Sequence, residues 1–132
     1  MLSKTKRILL MEDDIFLRDV TGRMLKKAGY DVETAGDGAE AVELFRSERD
    51  AGRPFDVVIL DLTVSDGMGG SDAIEKIRGV DPDIKAIVSS GHAGSTVLFR
   101  FREYGFHGVL RKPYEMNELI ETVRQVLAGN SR

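Results

Sequence analysis

Val57-Val58-Ile59-Leu60-Asp61 decides the fold, because a run of consecutive apolar residues ends there on a single acid. An uninterrupted apolar run of this length is typical of a strand buried on both faces of a parallel sheet. Ile8-Leu9-Leu10-Met11 is a second run of the same kind, and it also ends on acids, at Glu12-Asp13-Asp14. We therefore expect these two segments to lie side by side at the centre of one sheet.

The segments around these two runs alternate between helical and strand patterns. The first run is followed by apolar residues at helical spacing, which predict an amphipathic helix with that face buried; they are Leu17, Val20, Met24 and Ala28. Residues 31–35 alternate polar and apolar, as in a half-exposed edge strand, and Asp37-Gly38-Ala39-Glu40 has the pattern of a capping box. Later strands are predicted near 84–89 and 108–110, and later helices near 71–78, 95–104 and 116–127.

Strands and helices alternate strictly in this pattern. The sequence therefore predicts an α/β fold, a doubly wound five-stranded parallel sheet with helices on both faces. No internal repeat, low-complexity segment or linker interrupts the pattern. We expect a single domain over residues 1–132, with its core at about 7–127.

The composition excludes several classes of function. A net charge of −3 leaves no basic excess to neutralise phosphates, which argues against direct contact with nucleic acid. The chain contains no cysteine, so it forms neither disulfides nor thiolate metal sites. No apolar run approaches the roughly 18 residues that cross a bilayer, and the N-terminus lacks the pattern of a signal peptide. We expect no membrane contact and a cytoplasmic location.

Polar groups suited to phosphoryl chemistry follow the predicted strands. Acids follow both central strands, Ser90 comes just after the predicted fourth strand and Lys112 follows the fifth. In an open parallel sheet these strand ends meet at the edge where ligands bind. Crowded carboxylates repel one another and favour a hard divalent cation such as Mg²⁺. A lysine and a hydroxyl can hold phosphoryl oxygens, and the Asp61 carboxylate is the kind of nucleophile that forms an aspartyl phosphate.

Together these residues resemble the receiver domains of two-component response regulators, over about Arg7 to Leu127. The resemblance is carried by the acids after the first strand, Val58-Ile59-Leu60-Asp61-Leu62, Ser90-Gly91 and Lys112-Pro113-Tyr114. It implies a flavodoxin-like fold with strand order 2-1-3-4-5. It also implies a histidine kinase or a histidine phosphotransfer protein as the phosphodonor, and an output protein that the sequence does not identify.

The resemblance further implies a role for each matching residue in metal binding. Asp13 and Asp61 would bind Mg²⁺ directly, and the backbone carbonyl of Thr63 would be a third ligand. Glu12 would act through a water bound to the metal.

The remaining matches concern the phosphoryl group. Asp61 would be the phosphoacceptor, Lys112 would pair with the phosphoryl group, and Ser90 would be the switch hydroxyl. The Lys112–Pro113 peptide bond would be cis. The domain would catalyse its own phosphorylation and dephosphorylation, and it would not be an enzyme acting on an external substrate.

Some positions depart from the family pattern. Ser65 stands where the family usually has proline, and the glycine-rich loop at 66–70 looks slightly longer than usual. Similar loops occur in receivers of hybrid sensor histidine kinases, so we slightly favour such a receiver over a free-standing regulator. Val109 occupies the usual aromatic switch position, so switching by an aromatic rotamer change does not carry over to this chain.

Three other functions compete with this interpretation. Asp61-Leu62-Thr63-Val64 partly matches the Asp-x-Asp-x-Thr/Val signature of haloacid dehalogenase-type phosphohydrolases, but the second aspartate is missing and the motif should follow the first strand. A flavodoxin would need a phosphate loop where Glu12-Asp13-Asp14 stands, and these acids would repel phosphate. A pseudo-receiver, which binds partners without phosphorylation, would form no acyl phosphate.

The two histidines of the chain and the adjacent pair Leu98 and Phe99 are further candidates for functional or surface roles. We hypothesise that Thr63 and His92 tune the lifetime of the phosphorylated state. His107 has no metal-ligand spacing, and a surface position is the default expectation. Either Leu98 and Phe99 are both buried, or one of them is exposed and marks a partner surface.

Overall fold

Strands and helices alternate along the chain as the sequence predicted. The structure is a computed structural model that describes residues 5–62, 64, 67–91 and 95–129. Within these residues the strands are β1 (Arg7–Met11), β2 (Asp31–Ala35), β3 (Val57–Asp61), β4 (Lys85–Ser90) and β5 (Gly108–Arg111). The helices are α1 (Ile15–Lys27), α2 (Gly38–Asp50), α3 (Gly70–Val80), α4 (Thr96–Phe99) and α5 (Met116–Leu127).

The strands form one parallel sheet in the order β2-β1-β3-β4-β5. This order confirms the predicted fold class and places the two most apolar runs at adjacent central positions. Met11 pairs with Leu60, and Asp61 pairs with Ser89. The acids that follow β1 therefore lie next to Asp61 at the carboxyl edge of the sheet.

The core consists of two apolar layers, one on each face of the sheet. Leu60 and its face-mates pack against α2 and α3, whereas Ile59 and its face-mates pack against α1 and α5. Successive residues of a strand point to opposite faces, so a strand covered on both sides must be apolar throughout. Val57, Val58, Ile59 and Leu60 are each at most 1% exposed, which explains why the run decides the fold.

The predicted buried face of α1 is only partly correct, because Met24 packs against the core but Val20 lies in solvent. The helix buries Thr21, Gly22 and Leu25, whereas Val20 is 46% exposed. Thr21 occupies the core face because its hydroxyl finds a hydrogen-bond partner there, in Tyr114. A helix whose core face contains a polar residue does not show that face in its apolar periodicity. The apolar residues that set the predicted pattern therefore lie partly in solvent.

The fourth helix is shorter than predicted. Helix α4 ends at Phe99, and the segment expected to continue it to residue 104 forms successive i to i+3 turns, from Arg100 to Glu103 onward. Apolar and basic residues alternate from Phe99 to Arg102, and such a pattern gives no single buried helical face. Leu98 is buried and Phe99 is 84% exposed, so of the two alternatives left open by the sequence, the one with a single exposed residue holds.

Aspartate side chains cap the first two helices, and the second of these caps was predicted. The Asp14 side chain accepts a hydrogen bond from the backbone N–H of Leu17 at 3.0 Å. Asp37 accepts from the N–H of Glu40 at 2.9 Å, as expected for a capping box. The return bond differs from the standard box, because the Glu40 carboxylate accepts from the N–H of Gly36.

His107 is half-buried, and the default expectation of a surface histidine is wrong. The backbone N–H of Ala86 donates to Nδ1 of the His107 ring at 3.1 Å, and the backbone N–H of His107 donates to the Ala86 carbonyl at 2.6 Å. Burial lowers the pKa of His107, and the cations Arg78 and Lys85 lower it further. A neutral imidazole thus extends the pairing of β4 with the start of β5.

A separate finding concerns membranes. None of the helices that the structure describes has the length and apolar character needed to cross a bilayer.

Candidate functional site

Three carboxylates meet at the carboxyl edge of the sheet. One carboxylate oxygen each from Glu12, Asp13 and Asp61 lies within 4.8 Å of the others. Glu12 and Asp61 are each only 2% exposed. The pairing of β1 with β3 brings these two acids together. Met11 pairs with Leu60, and Glu12 and Asp61 are the next residues on the two strands.

Lys112 reaches the cluster from the end of the outermost strand, β5, at the same carboxyl edge of the sheet. Its Nζ lies 2.7 Å from Glu12 Oε1 and 3.3 Å from Asp61 Oδ2. The lysine follows β5, and β4 lies between β5 and β3, so the side chain passes the end of β4 to reach these acids. The Lys112–Pro113 peptide bond is cis, as predicted.

The site is electrostatically crowded. Burial raises the pKa of Asp61 to about 7, and the neighbouring charge of Glu12 acts in the same direction. Burial alone would lower the pKa of Lys112, but hydrogen bonding to Glu12 and the charge of Asp61 raise it above its ordinary value. Lys112 is therefore positively charged at neutral pH, and its charge offsets part of the negative charge of the cluster.

The donor set fits a hard divalent cation. Carboxylate oxygens are the ligands that Mg²⁺ prefers, and Mg²⁺ commonly retains several waters. Among the residues that the structure describes, the donors of the cluster are carboxylates without sulfur or imidazole, a set that suits hard cations better than the softer transition metals. The chemistry of the residues present thus agrees with the predicted acidic metal pocket.

Ser90 lies at the same edge, at the end of β4. It is 2% exposed, pairs with Arg111 of β5, and its carbonyl accepts the N–H of Lys112 at 2.9 Å. The structure therefore brings together the predicted site residues Glu12, Asp13, Asp61, Ser90 and Lys112. Thr63 and His92, and the hypotheses attached to them, lie outside the described residues.

The glycines after β3 allow a close backbone approach to the site. A Cβ atom on Gly70 would lie 2.7 Å from the carbonyl oxygen of Asp61, and one on Gly69 would lie 2.6 Å from the carbonyl oxygen of Leu62. Such distances are too short for any residue with a side chain. The glycine-rich composition thus lets the start of α3 pack directly against the backbone that carries Asp61.

Sequence reasoning missed one pair of residues beside the site. The hydroxyl groups of Tyr114 and Thr21 hydrogen-bond at 3.1 Å. Burial raises the pKa of Tyr114, and this residue follows Lys112 by two positions in the chain. The signal available was a threonine in the middle of an otherwise apolar helix face.

With this geometry in view, comparison with known families identifies the chain. The sequence profile of the response regulator receiver domain matches residues 8–124. The chain belongs to the response regulator receiver domain family.

Individual relatives agree with this assignment. The chain is 31% identical over 122 residues to chemotaxis protein CheY of Thermotoga maritima, covering 92% of this chain and 97% of that protein. It is 32% identical over 126 residues to sensor kinase CckA of Brucella abortus, covering 96% of this chain but 13% of that protein. Among solved structures, a CheY-like receiver domain protein from Methanospirillum hungatei has a TM-score of 0.84 at 26% identity and covers 96% of each chain.

The chain is thus a phosphoacceptor signalling domain of a two-component system. It spans nearly the whole length of some relatives and only a small part of others. Membership of this family removes the phosphohydrolase and flavodoxin alternatives. Asp61 also ends the third strand and not the first, where the phosphohydrolase signature would have to lie.

Proposed function

We propose that Asp61 accepts the phosphoryl group and that Mg²⁺ binds beside it. The observation that carries this proposal is the convergence of Glu12, Asp13 and Asp61 within 4.8 Å, with the Lys112 ammonium 3.3 Å from Asp61. Asp13 and Asp61 are the proposed direct ligands, with the backbone carbonyl of Thr63 as the third. Glu12 would act through a metal-bound water.

The residues have distinct parts in the transfer. An Asp61 carboxylate oxygen attacks the phosphorus of a phosphohistidine; the new O–P bond forms as the N–P bond breaks, and the imidazole leaves with the electron pair. Lys112 and the Ser90 hydroxyl donate hydrogen bonds to the phosphoryl oxygens and stabilise their developing charge. Bound Mg²⁺ supplies the remaining neutralisation of negative charge. A later attack by water returns the free carboxylate and inorganic phosphate.

The wider assignments are also proposals. The phosphodonor is a histidine kinase or a histidine phosphotransfer protein, and the domain is an acceptor that catalyses its own transfer and hydrolysis, with no external substrate to turn over. Residues 1–132 form a single domain located in the cytoplasm. Relatives of both architectures, one nearly all receiver and one mostly other sequence, are compatible with a free-standing regulator and with a hybrid kinase.

Intact-mass measurement after incubation with acetyl phosphate tests the proposal. We expect a phosphoryl adduct on the wild type in the presence of Mg²⁺, none in EDTA, and none on Asp61→Asn under either condition. Asp50→Asn is the matched control, because Asp50 is exposed at the end of α2. An adduct that persists on Asp61→Asn would contradict the assignment of the acceptor, and no adduct on any protein would favour a pseudo-receiver.

The exposed apolar residues of α1 supply a surface for the phosphodonor. Ile15, Phe16 and Val20 are 69%, 85% and 46% exposed, and α1 begins directly after the acids of the site. A donor protein that delivers its phosphohistidine to Asp61 must cover the rim of this edge. Clustered exposed apolar residues at such a rim favour contact with a protein partner.

Replacing Phe16 with alanine should slow transfer from a phosphorylated histidine phosphotransfer domain by about tenfold, as expected for an exposed aromatic anchor. Labelling by acetyl phosphate, which needs no protein contact, should change little. Phe99→Ala is the matched control, since Phe99 is equally exposed, at 84%, but lies on α4. Equal rates of protein-to-protein transfer for the two variants would argue against the α1 surface.

A further inference from the structure

Tyr114 lies in the segment that joins β5 to α5, directly after the cis bond between Lys112 and Pro113. Its hydroxyl bonds to that of Thr21 at 3.1 Å, and Thr21 is only 1% exposed. The aromatic ring packs against the core layer that includes Ile59 and Leu10. A side chain of the segment that carries Lys112 is thus fastened to the buried face of α1.

Within the part of the chain that the structure describes, hydrogen bonds hold this segment on both sides of Tyr114. On the N-terminal side, the N–H of Lys112 donates to the Ser90 carbonyl at 2.9 Å. On the C-terminal side, Glu115 caps α5 without a side-chain hydrogen bond. Among the residues that the structure describes, the side-chain hydrogen bond found for residues 113–115 is the one between the hydroxyl groups of Tyr114 and Thr21. The backbone of Lys112 is therefore held between two attachments, one to β4 and one to α1.

The attachment to Thr21 bears on the position of the Lys112 ammonium, because this group contacts acids on strands distant from its own. Its ammonium contacts Glu12 after β1 and Asp61 on β3, although its backbone follows β5. Neighbouring strands lie about 4.8 Å apart, so β5 and β3 are separated by roughly 10 Å. The lysine and acid side chains together bridge this gap, so the distance from the ammonium to Asp61 depends on where the backbone of Lys112 lies. A displacement of about 1 Å in a reacting or charge-stabilising group can cost as much as 100-fold in rate.

We propose that the hydrogen bond between Thr21 and Tyr114 positions Lys112 for phosphoryl transfer, which makes Tyr114 a positioning residue of the site. This inference rests on the proposed function of Asp61 and Lys112. Because the other end of the bond is on α1, the helix that presents Phe16 to the donor is also the helix that fixes the lysine.

Two nearly isosteric substitutions test the inference. Tyr114→Phe removes only a hydroxyl, and Thr21→Val replaces a hydroxyl with a methyl group. We expect each to slow Asp61 labelling by acetyl phosphate in Mg²⁺ by about tenfold. The double variant should be no slower than either single variant, because both changes remove the same bond. Thermal unfolding of each protein verifies that all remain folded.

A comparison in the Lys112→Met background separates positioning from general destabilisation. If Tyr114 acts through the lysine, the fold reduction in labelling rate caused by Lys112→Met should be about tenfold smaller in the Tyr114→Phe protein than in the wild type. An equal loss in both backgrounds would overturn the inference, as would an unchanged rate in Tyr114→Phe. Calorimetric affinities for beryllofluoride in Mg²⁺ give the same comparison if the labelling rates are too slow to measure.

The two proposals fail in different ways. A wild type that forms no Asp61-dependent adduct would overturn the proposed function and this inference with it. An adduct that depends on Asp61 but is insensitive to Tyr114→Phe and Thr21→Val would overturn the inference alone.

Discussion

Replacing Lys112 with methionine should lower the rate of Asp61 phosphorylation by acetyl phosphate by about 100-fold, the usual cost of removing one donor that stabilises charge in the transition state. The ammonium lies 3.3 Å from Asp61 and 2.7 Å from Glu12, so it stands where phosphoryl oxygens would develop charge. Methionine keeps an unbranched apolar stem that ends where the lysine Cε lies, but it lacks the terminal ammonium and its charge. The measurement is the initial rate of adduct formation by intact mass in Mg²⁺.

Lys85→Met is the matched control for this variant. Lys85 is also half-buried, but its Nζ donates to the backbone carbonyl of Leu127 at 3.1 Å, away from the acidic cluster. We expect its rate to stay close to that of the wild type. If Lys112→Met and Lys85→Met labelled equally fast, the lysine would have no part in the transfer.

The sequence was sufficient for the fold because the decisive signal is local. Two apolar runs long enough to fill central strands, each followed by acids, fix both the sheet type and the edge where the chemistry lies. Asp61 and the acids after β1 could therefore be predicted as neighbours before any contact was known. Their pairing, Met11 with Leu60 and Asp61 with Ser89, follows from the same parallel arrangement.

The details that escaped sequence reasoning depend on partners distant along the chain. Thr21 is buried because Tyr114 lies opposite it, and no helical period within α1 encodes that. His107 is drawn into the sheet by the backbone of Ala86. Each case is a tertiary contact that overrides a local preference.

The position of the Lys112 ammonium shows the same limit within the site. The resemblance pairs this lysine with the phosphoryl group, whereas here it lies closer to Glu12 than to Asp61. The side chains of Glu12 and Asp61 are equally buried, at 3% exposed each, so burial does not account for this preference. Which acid the lysine prefers depends on atomic distances that residue order does not specify.

Asp61→Asn should stabilise the metal-free protein, and the gain should grow with pH. Burial and the charge of Glu12 raise the pKa of Asp61 from 3.8 to about 7. An acid whose folded-state pKa exceeds its unfolded value favours folding in its protonated form. That contribution is complete below the unfolded pKa and is lost as pH rises through the folded pKa. Asparagine has no proton to lose, so the variant escapes this loss.

In EDTA, we therefore expect the melting temperature of Asp61→Asn to exceed that of the wild type by about 5 °C at roughly pH 8, and by less at roughly pH 5. Asp50→Asn, whose carboxylate is exposed, should follow the wild type at every pH. Adding Mg²⁺ should stabilise the wild type more than Asp61→Asn, because the cation offsets the same repulsion that the substitution removes. A constant difference in melting temperature across this pH range would mean that the buried carboxylate is not under electrostatic strain, and the case for a cation as its natural counter-charge would weaken accordingly.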